Sequence, residues 1–239
     1  MTFLTGDTHG RTDVEKFYMR KFPQQKNLTK KDNVIILGDW GAIWDAQTSK
    51  QEKSLLNFYN DRKFTTLIVA GNHDNHTRLN SDEFPEVNMF NDTVKQISDS
   101  IFLLQTGHIY IINGETYFVF GGAESIDKEQ RKAFISWWPD EIPSTKTMME
   151  SLDLLAKIKK VDYILTHATH TRMYDYMGYN DKKETDPMLK FFDAVKDTVT
   201  YSFWFHGHYH KEMFYNPDKT LCLYNQIVSI GDVNRMLGD

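Results

Sequence analysis

Five apolar runs in this chain stop abruptly at a polar cluster, and that recurrence limits the available folds more than any other feature. Phe3 to Thr5 runs into Gly6-Asp7, Val34 to Leu37 into Gly38-Asp39, and Leu67 to Ala70 into Gly71-Asn72-His73-Asp74. Tyr163 to Leu165 meets Thr166-His167, and Phe203 to Phe205 meets His206-Gly207-His208. Short β-branched or aromatic runs that end this way behave as strands delivering loops. Between them, Lys50 to Arg62, Thr147 to Lys159 and Met188 to Val199 carry apolar residues at helical spacing and read as crossover helices. Ile101 to Leu104, Ile109 to Ile112 and Thr116 to Phe120 are further strands, with Asn113-Gly114 as a hairpin turn. Glu212 to Tyr215 and Leu221 to Tyr224 flank a turn at Asn216-Pro217-Asp218. The expectation is an α/β fold with mixed sheets.

With 239 residues, 40% apolar and 14% aromatic, the chain can bury one large core, so a single domain over 1–239 is expected. A formal charge of -5 offers no global basic field for duplex nucleic acid or anionic membranes. No window approaches the roughly 18 apolar residues of a membrane span. The lone Cys222, in an apolar run, reads as a buried inert thiol in a reducing, cytoplasmic setting. The Asn-x-Thr triplets at Asn27 and Asn91 are put down to chance. Two irregular segments, 121–147 and 174–187, are candidates for substrate specificity because long irregular stretches in compact domains tend to be covers.

Chemistry concentrates at the strand ends. Side chains at i and i+2 of extended chain point the same way, so Asp7 and His9 can grip one ion from a short segment, and His208 and His210 put two imidazoles at the same spacing. Alone, each pattern also fits ordinary loop residues, and Gly38-Asp39 also fits a helix cap. Taken together, carboxylates, an amide and several imidazoles sit at strand ends that converge on one sheet edge. Mixed nitrogen and oxygen donors suit Mn, Fe or Zn better than Mg or Ca.

The ordered set Gly6-Asp7-Thr8-His9-Gly10, Gly38-Asp39, Gly71-Asn72-His73-Asp74, Thr166-His167 and Gly207-His208-Tyr209-His210 resembles the calcineurin-like metallophosphoesterase superfamily. The resemblance implies a four-layer α/β/β/α sandwich of two mixed sheets flanked by helices. It also implies two divalent ions, Mn foremost, with Fe, Zn or Ni as alternatives. Carried over, it puts Asp7, His9 and His210 on one ion, Asn72, His167 and His208 on the other, and Asp39 between them. His73 resembles the family's general acid, with Asp74 orienting it and keeping its pKa high enough to donate near neutrality. Paired cations lower the pKa of water and clamp phosphoryl oxygens, so hydroxide attacks phosphorus in line.

The phosphate-binding arginines of the phosphoprotein phosphatases are missing: Asp39 leads into Trp40-Gly41-Ala42-Ile43, and His76 stands two past Asp74. Arg11, Arg78 and Arg131 are the candidates to supply a guanidinium by another route, each with an ordinary salt-bridging role as the rival. His76 and His170 are candidates for substrate binding: the rival for His76 is an ordinary turn histidine, and His170, which competes with His167 for a ligand place, reads as a residue at the rim of the site or as a plain surface residue. His206 reads as packing or as support behind the ligands, and His108 as structural. Gly121 to Lys128 reads either as an anion-binding turn or as a tight turn. Trp137-Trp138-Pro139 is similar to a segment of a bacterial and phage subgroup, as an aromatic wall or as packing. The expected activity is hydrolysis of a phosphomonoester on a small molecule, nucleotide or phosphoprotein. The rivals are a phosphodiesterase acting on cyclic nucleotides or nucleic acid, and a metal-free protein-binding scaffold.

Overall fold

A computed structural model describes residues 1–181 and 184–236, without the side chains of Asn234 and Met236. Two sheets carry the architecture. The first orders its strands as β13 (Val228–Ser229), β1 (Thr2–Thr5), β2 (Asn33–Leu37), β3 (Thr65–Val69), β6 (Ile101–Leu104), β5 (Asp92–Ser98) and β4 (Glu86–Met89). The second runs β11 (Met213–Tyr215), β12 (Thr220–Cys222), β10 (Phe203–His206), β9 (Tyr163–Thr166), β8 (Glu115–Phe120) and β7 (His108–Ile112). Both are mixed. In the first, β1, β2, β3 and β6 are parallel; in the second, β8, β9, β10 and β12 are. The three expected crossover helices are present as α1 (Lys50–Asn60), α3 (Thr145–Ile158) and α5 (Pro187–Thr198), each joining parallel neighbours. Two short helices, α2 (His76–Leu79) and α4 (Thr171–Tyr176), lie beyond strand ends, and α6 (Ile230–Met236) closes the described chain.

Period-two alternation sorts the strand residues into layers. Ile35, Leu37, Leu67 and Val69 meet Tyr117, Val119, Tyr163, Leu165, Phe203 and Phe205 between the sheets. Val34, Ile36 and Ile68 face the other way, against Leu55 and Tyr59 of α1. Phe118, Phe120, Ile164 and Trp204 pack on Met148 and Leu155 of α3 and Phe192 and Val195 of α5. Helix, sheet, sheet, helix is the resulting stack. Because both faces of each sheet are covered, the central strands are apolar throughout, as parallel strands are.

Asn113 (φ 54°) and Gly114 (φ 88°) make the two-residue turn of the β7–β8 hairpin. The β4–β5 hairpin escaped the sequence reading. Its turn is Phe90-Asn91, both at positive φ, and its strands sit at the sheet edge with mixed polarity, so neither the turn nor the alternation stands out. Among the described residues, no helix is long and apolar enough to cross a membrane. Cys222 is fully buried.

Candidate metal centre and active site

All five polar strand ends meet at one edge of the sandwich, three from the first sheet and two from the second. The loops are knitted by backbone: the N–H groups of Thr8 and His9 donate to Asp39 O at 3.1 and 2.8 Å, and Gly10 N to Trp40 O at 2.8 Å. Carboxylates complete the weave. Asp7 Oδ1 accepts from His208 N (2.9 Å), and Asp39 Oδ1 from His73 N (2.6 Å). Four of the expected ligands, His9, Asp39, His208 and His210, have φ between 43° and 68°. Side-chain-bearing residues visit that region at a cost, and clusters of them mark sites held by surrounding structure. Two glycines show how tight the convergence is. A Cβ on Gly71 would lie 2.2 Å from both N and Oδ1 of Asp39, and one on Gly207 would lie 2.3 Å from Asp7 Oδ1.

The donor atoms fall into two groups, Asp7, His9 and His210 in one and Asp39, His167 and His208 in the other, each with ligand atoms within 4.8 Å of one another. Asp39 faces both. Its Oδ2 is 3.4 Å from His9 Nε2 and its Oδ1 is 3.3 Å from His167 Nε2. His210 Nε2 stands 3.1 Å from Asp7 Oδ2, and Asn72 Oδ1 stands 3.0 Å from His167 Nε2. Outer partners orient the rings: His9 Nδ1 donates to Asp13 Oδ2 (3.2 Å), and His167 Nδ1 to Leu37 O (2.7 Å). A carboxylate or carbonyl behind an imidazole is the usual support for a metal ligand. Two fully buried carboxylates ringed by imidazoles and an amide oxygen suit divalent cations, so the residues fit the ions that the motif set implies.

Electrostatics agree with that fit. Burial alone would lower His9 and His167, yet Asp39 and Asp7 raise each to about 9. Burial likewise works against Asp39, but the His167 and His9 contacts hold it well below the usual carboxylate range. Asp7 is also lowered, its burial outweighed chiefly by His210 and His167. The cluster is a set of oxygens that demands positive charge.

His73 lies beside this cluster, half-buried, stacked on Trp44 with ring centroids 5.9 Å apart. Its other neighbour is Arg131, whose Nη1 and Nη2 sit 3.2 and 3.1 Å from the two ring nitrogens. Burial, with Arg131 opposing the pull of Asp39, lowers the His73 pKa. Asp74 is a correction. It does not reach the His73 ring: Oδ1 accepts from Gly41 N and Oδ2 from Gly71 N, each at 2.8 Å, so it fastens two motif loops together. Burial and the nearby Asp39 charge raise it to about 7.

Of the substrate-binding candidates only Arg131 reaches the site. Arg78 is 6% exposed and saturated by Glu52 (Nη1 to Oε2 2.6 Å) and Glu83, because a buried guanidinium needs carboxylates around it. Arg11 turns to Ser54 on α1 and lines no cavity at the centre. His76 is buried, with Nε2 donating to Gly71 O at 2.8 Å. His170 caps α4, accepting from Met173 N (3.4 Å), while Nε2 meets Thr220 Oγ1 at 2.9 Å. Burial drives it to about 3. Both histidines are structural. Gly121 to Lys128 is a tight turn: its Gly121, Gly122 and Ser125 N–H groups donate to Thr106, Ala70 and Glu141.

Sequence reading missed Ser125 and Glu141. Asn72 Nδ2 donates to Ser125 Oγ (3.0 Å), which donates to Glu141 Oε2 (2.6 Å). A charge inside the Trp138-to-Pro143 run was the available hint. His73 also separates two cavities. One of about 420 Å³ is lined by Asp39, His73, Arg131, Tyr174, Tyr179 and Tyr209 among others. The other, about 260 Å³, lies by His9, Gly41, Trp44 and Gln51. Segment 121–147 and the described part of 174–187 thus wall the centre, while residues 182 and 183 lie outside the described residues.

The family model described as calcineurin-like phosphoesterase matches residues 2–212, and the chain belongs to that family. It is a metal-dependent phosphoesterase. No curated protein matches the sequence. Solved structures similar to it include a phosphopantetheinyl hydrolase from Mycobacterium tuberculosis (14% identity, 93% of this chain and 89% of that one, TM-score 0.42). Others are a putative 5'-nucleotidase from Staphylococcus aureus in complex with alpha-ketoglutarate (12%, 93% and 48%, 0.49) and a protein of unknown function from Aquifex aeolicus (13%, 99% and 98%, 0.40).

Proposed function

We propose that the chain is a phosphomonoester hydrolase with two divalent ions, Mn²⁺ foremost, at the shared edge of the sheets. Asp7, His9 and His210 hold one ion; Asn72, His167 and His208 hold the other; and Asp39 binds both. The observation that carries this reading is Asp39, whose two oxygens face the two donor groups at 3.4 and 3.3 Å. When bound, such a pair supplies an activated water and positive charge for the phosphoryl oxygens.

Arg131 is the guanidinium that the missing motif arginines leave wanting, and it receives the outer phosphate oxygens from the larger cavity. A phosphate dianion there raises His73 against the burial and the Arg131 charge that lower it. His73 then gives a proton to the leaving oxygen as the P–O bond breaks and water adds to phosphorus. The two cavities meeting at His73 favour one rival, a phosphodiesterase, because a diester has a substituent on each side of phosphorus. Turnover of mono- and bis-nitrophenyl phosphate by the Mn²⁺-loaded protein separates the two. Faster monoester cleavage is expected; faster diester cleavage replaces this proposal with the rival.

A further inference from the structure

The chain Asn72–Ser125–Glu141 runs from the candidate metal centre into the protein interior, and its members are 3%, 2% and 1% exposed. Each hydrogen bond in it has a direction. Burial raises the Glu141 carboxyl, with its two Ser125 hydrogen bonds and the Arg131 charge working the other way; in its ionised form it only accepts, taking the backbone N–H of Ser125 at Oε1 (2.8 Å) and the Ser125 hydroxyl at Oε2 (2.6 Å). With its proton committed to Glu141, the hydroxyl can only accept from the next group. That group must be the NH₂ of Asn72, which approaches at 3.0 Å. The amide is thereby set with Oδ1 turned toward His167 and Asp39, where an oxygen is needed for a cation and an NH₂ would repel one.

From this geometry we infer that Glu141, acting through Ser125, is a positioning residue that fixes which end of the Asn72 amide faces the second metal ion. This rests on the metal-site reading above. A reversed amide costs nothing in shape, since oxygen and nitrogen ends are nearly isosteric, so packing alone does not choose between them. The polarity of the hydrogen-bond chain does. Glu141 comes from the irregular segment between β8 and α3, which also carries Arg131 to His73, so one connection orders two adjacent motif residues.

Glutamine at 141 has an NH₂ that can donate to Ser125, freeing the hydroxyl to donate to Asn72 and letting the amide turn. The test is Mn²⁺ titration by calorimetry, with the melting temperature of each metal-free protein as the control for folding. Glu141→Gln should weaken one of two sites about 10–100-fold, the range for losing a group that orients a ligand, and leave the other site alone. Ser125→Ala should act alike, and Ser125→Thr, which keeps the hydroxyl, should restore affinity.

The decisive comparison uses Asn72→Asp. A carboxylate at 72 has no NH₂ to turn, so Glu141→Gln should cost nothing in that background. A purely structural Glu141 would weaken binding equally in both backgrounds and overturn the inference. If Glu141→Gln melts too low to titrate, the Ser125→Ala and Ser125→Thr pair decides: equal affinities in the two reject the brace. A wild-type protein that binds no ion overturns the metal-site reading and the brace with it. Two tight ions in both wild type and Glu141→Gln overturn the brace alone.

Discussion

Single atoms decide most of what this centre can do. Arg131 is the clearest case, the one guanidinium among the three candidates that reaches His73, held there by Asp127 Oδ1 at 2.8 Å from its Nε and by Ser136 O at 3.2 Å from its Nη1. Arg131→Ala should lower kcat/KM for a monoester about 10–100-fold, the worth of a charge-assisted hydrogen bond to a dianion, and less for a monoanionic diester. Steady-state kinetics with the nitrophenyl pair reads the difference. His73→Ala should slow turnover while both ions are retained, which metal analysis of the purified variant checks. Protons and cations compete at this scale too. His9 and His167 are raised from 6.5 to about 9 by the carboxylates. Their pairing therefore stabilises the metal-free fold fully below about 6.5 and is lost as pH rises through about 9. Ion binding displaces those protons, so apparent Mn²⁺ affinity should climb between these limits, by up to about tenfold per pH unit for each proton released. A flat affinity over that range contradicts the assignment. The residues of the two donor groups were legible from the sequence because each stands at a strand end. The fates of Arg78 and Asp74 were not, since Arg78 is set by Glu52 from α1 and Asp74 by N–H groups of two loops.

At the scale of elements, each motif is a strand that stops and a loop that another loop holds. The strands were readable because buried parallel strands are short and uniformly apolar. The β4–β5 hairpin was not, since half-buried edge strands carry polar residues that blur the alternation. Glycines set the spacing between loops. Gly207→Ala would push a methyl against Asp7 Oδ1 and Leu37 O, the latter 2.7 Å from the added carbon. It should therefore weaken binding of the ion proposed for Asp7, His9 and His210 more than it weakens the core, and calorimetric titration beside urea unfolding would show both. Leu165→Ala is the converse. Leu165 is fully buried between the sheets, and its truncation should cost about 2–5 kcal/mol in urea unfolding of the metal-free protein, with metal stoichiometry unchanged.

For the whole molecule, two sheets stacked face to face bring β1, β2 and β3 of one and β9 and β10 of the other to a common edge. Neither sheet alone assembles both donor groups: Asp7, His9, Asp39 and Asn72 come from the first, His167, His208 and His210 from the second. The layers could be anticipated from alternation within strands, and the common edge from five repeated endings. What the sequence hid is how the β8–α3 connection folds back on the centre, because Ser125 and Arg131 meet Asn72 and His73 only in the folded chain, while Glu141 acts through Ser125 within the connection itself. The central claim is that Asp39 joins two ions into one hydrolytic centre. Electron paramagnetic resonance of the Mn²⁺-loaded protein tests it most directly. Two exchange-coupled ions are expected in the wild type, with coupling and monoester turnover both lost in Asp39→Asn. A wild type with a single uncoupled ion, or an Asp39→Asn protein that keeps coupling and full turnover, would contradict it.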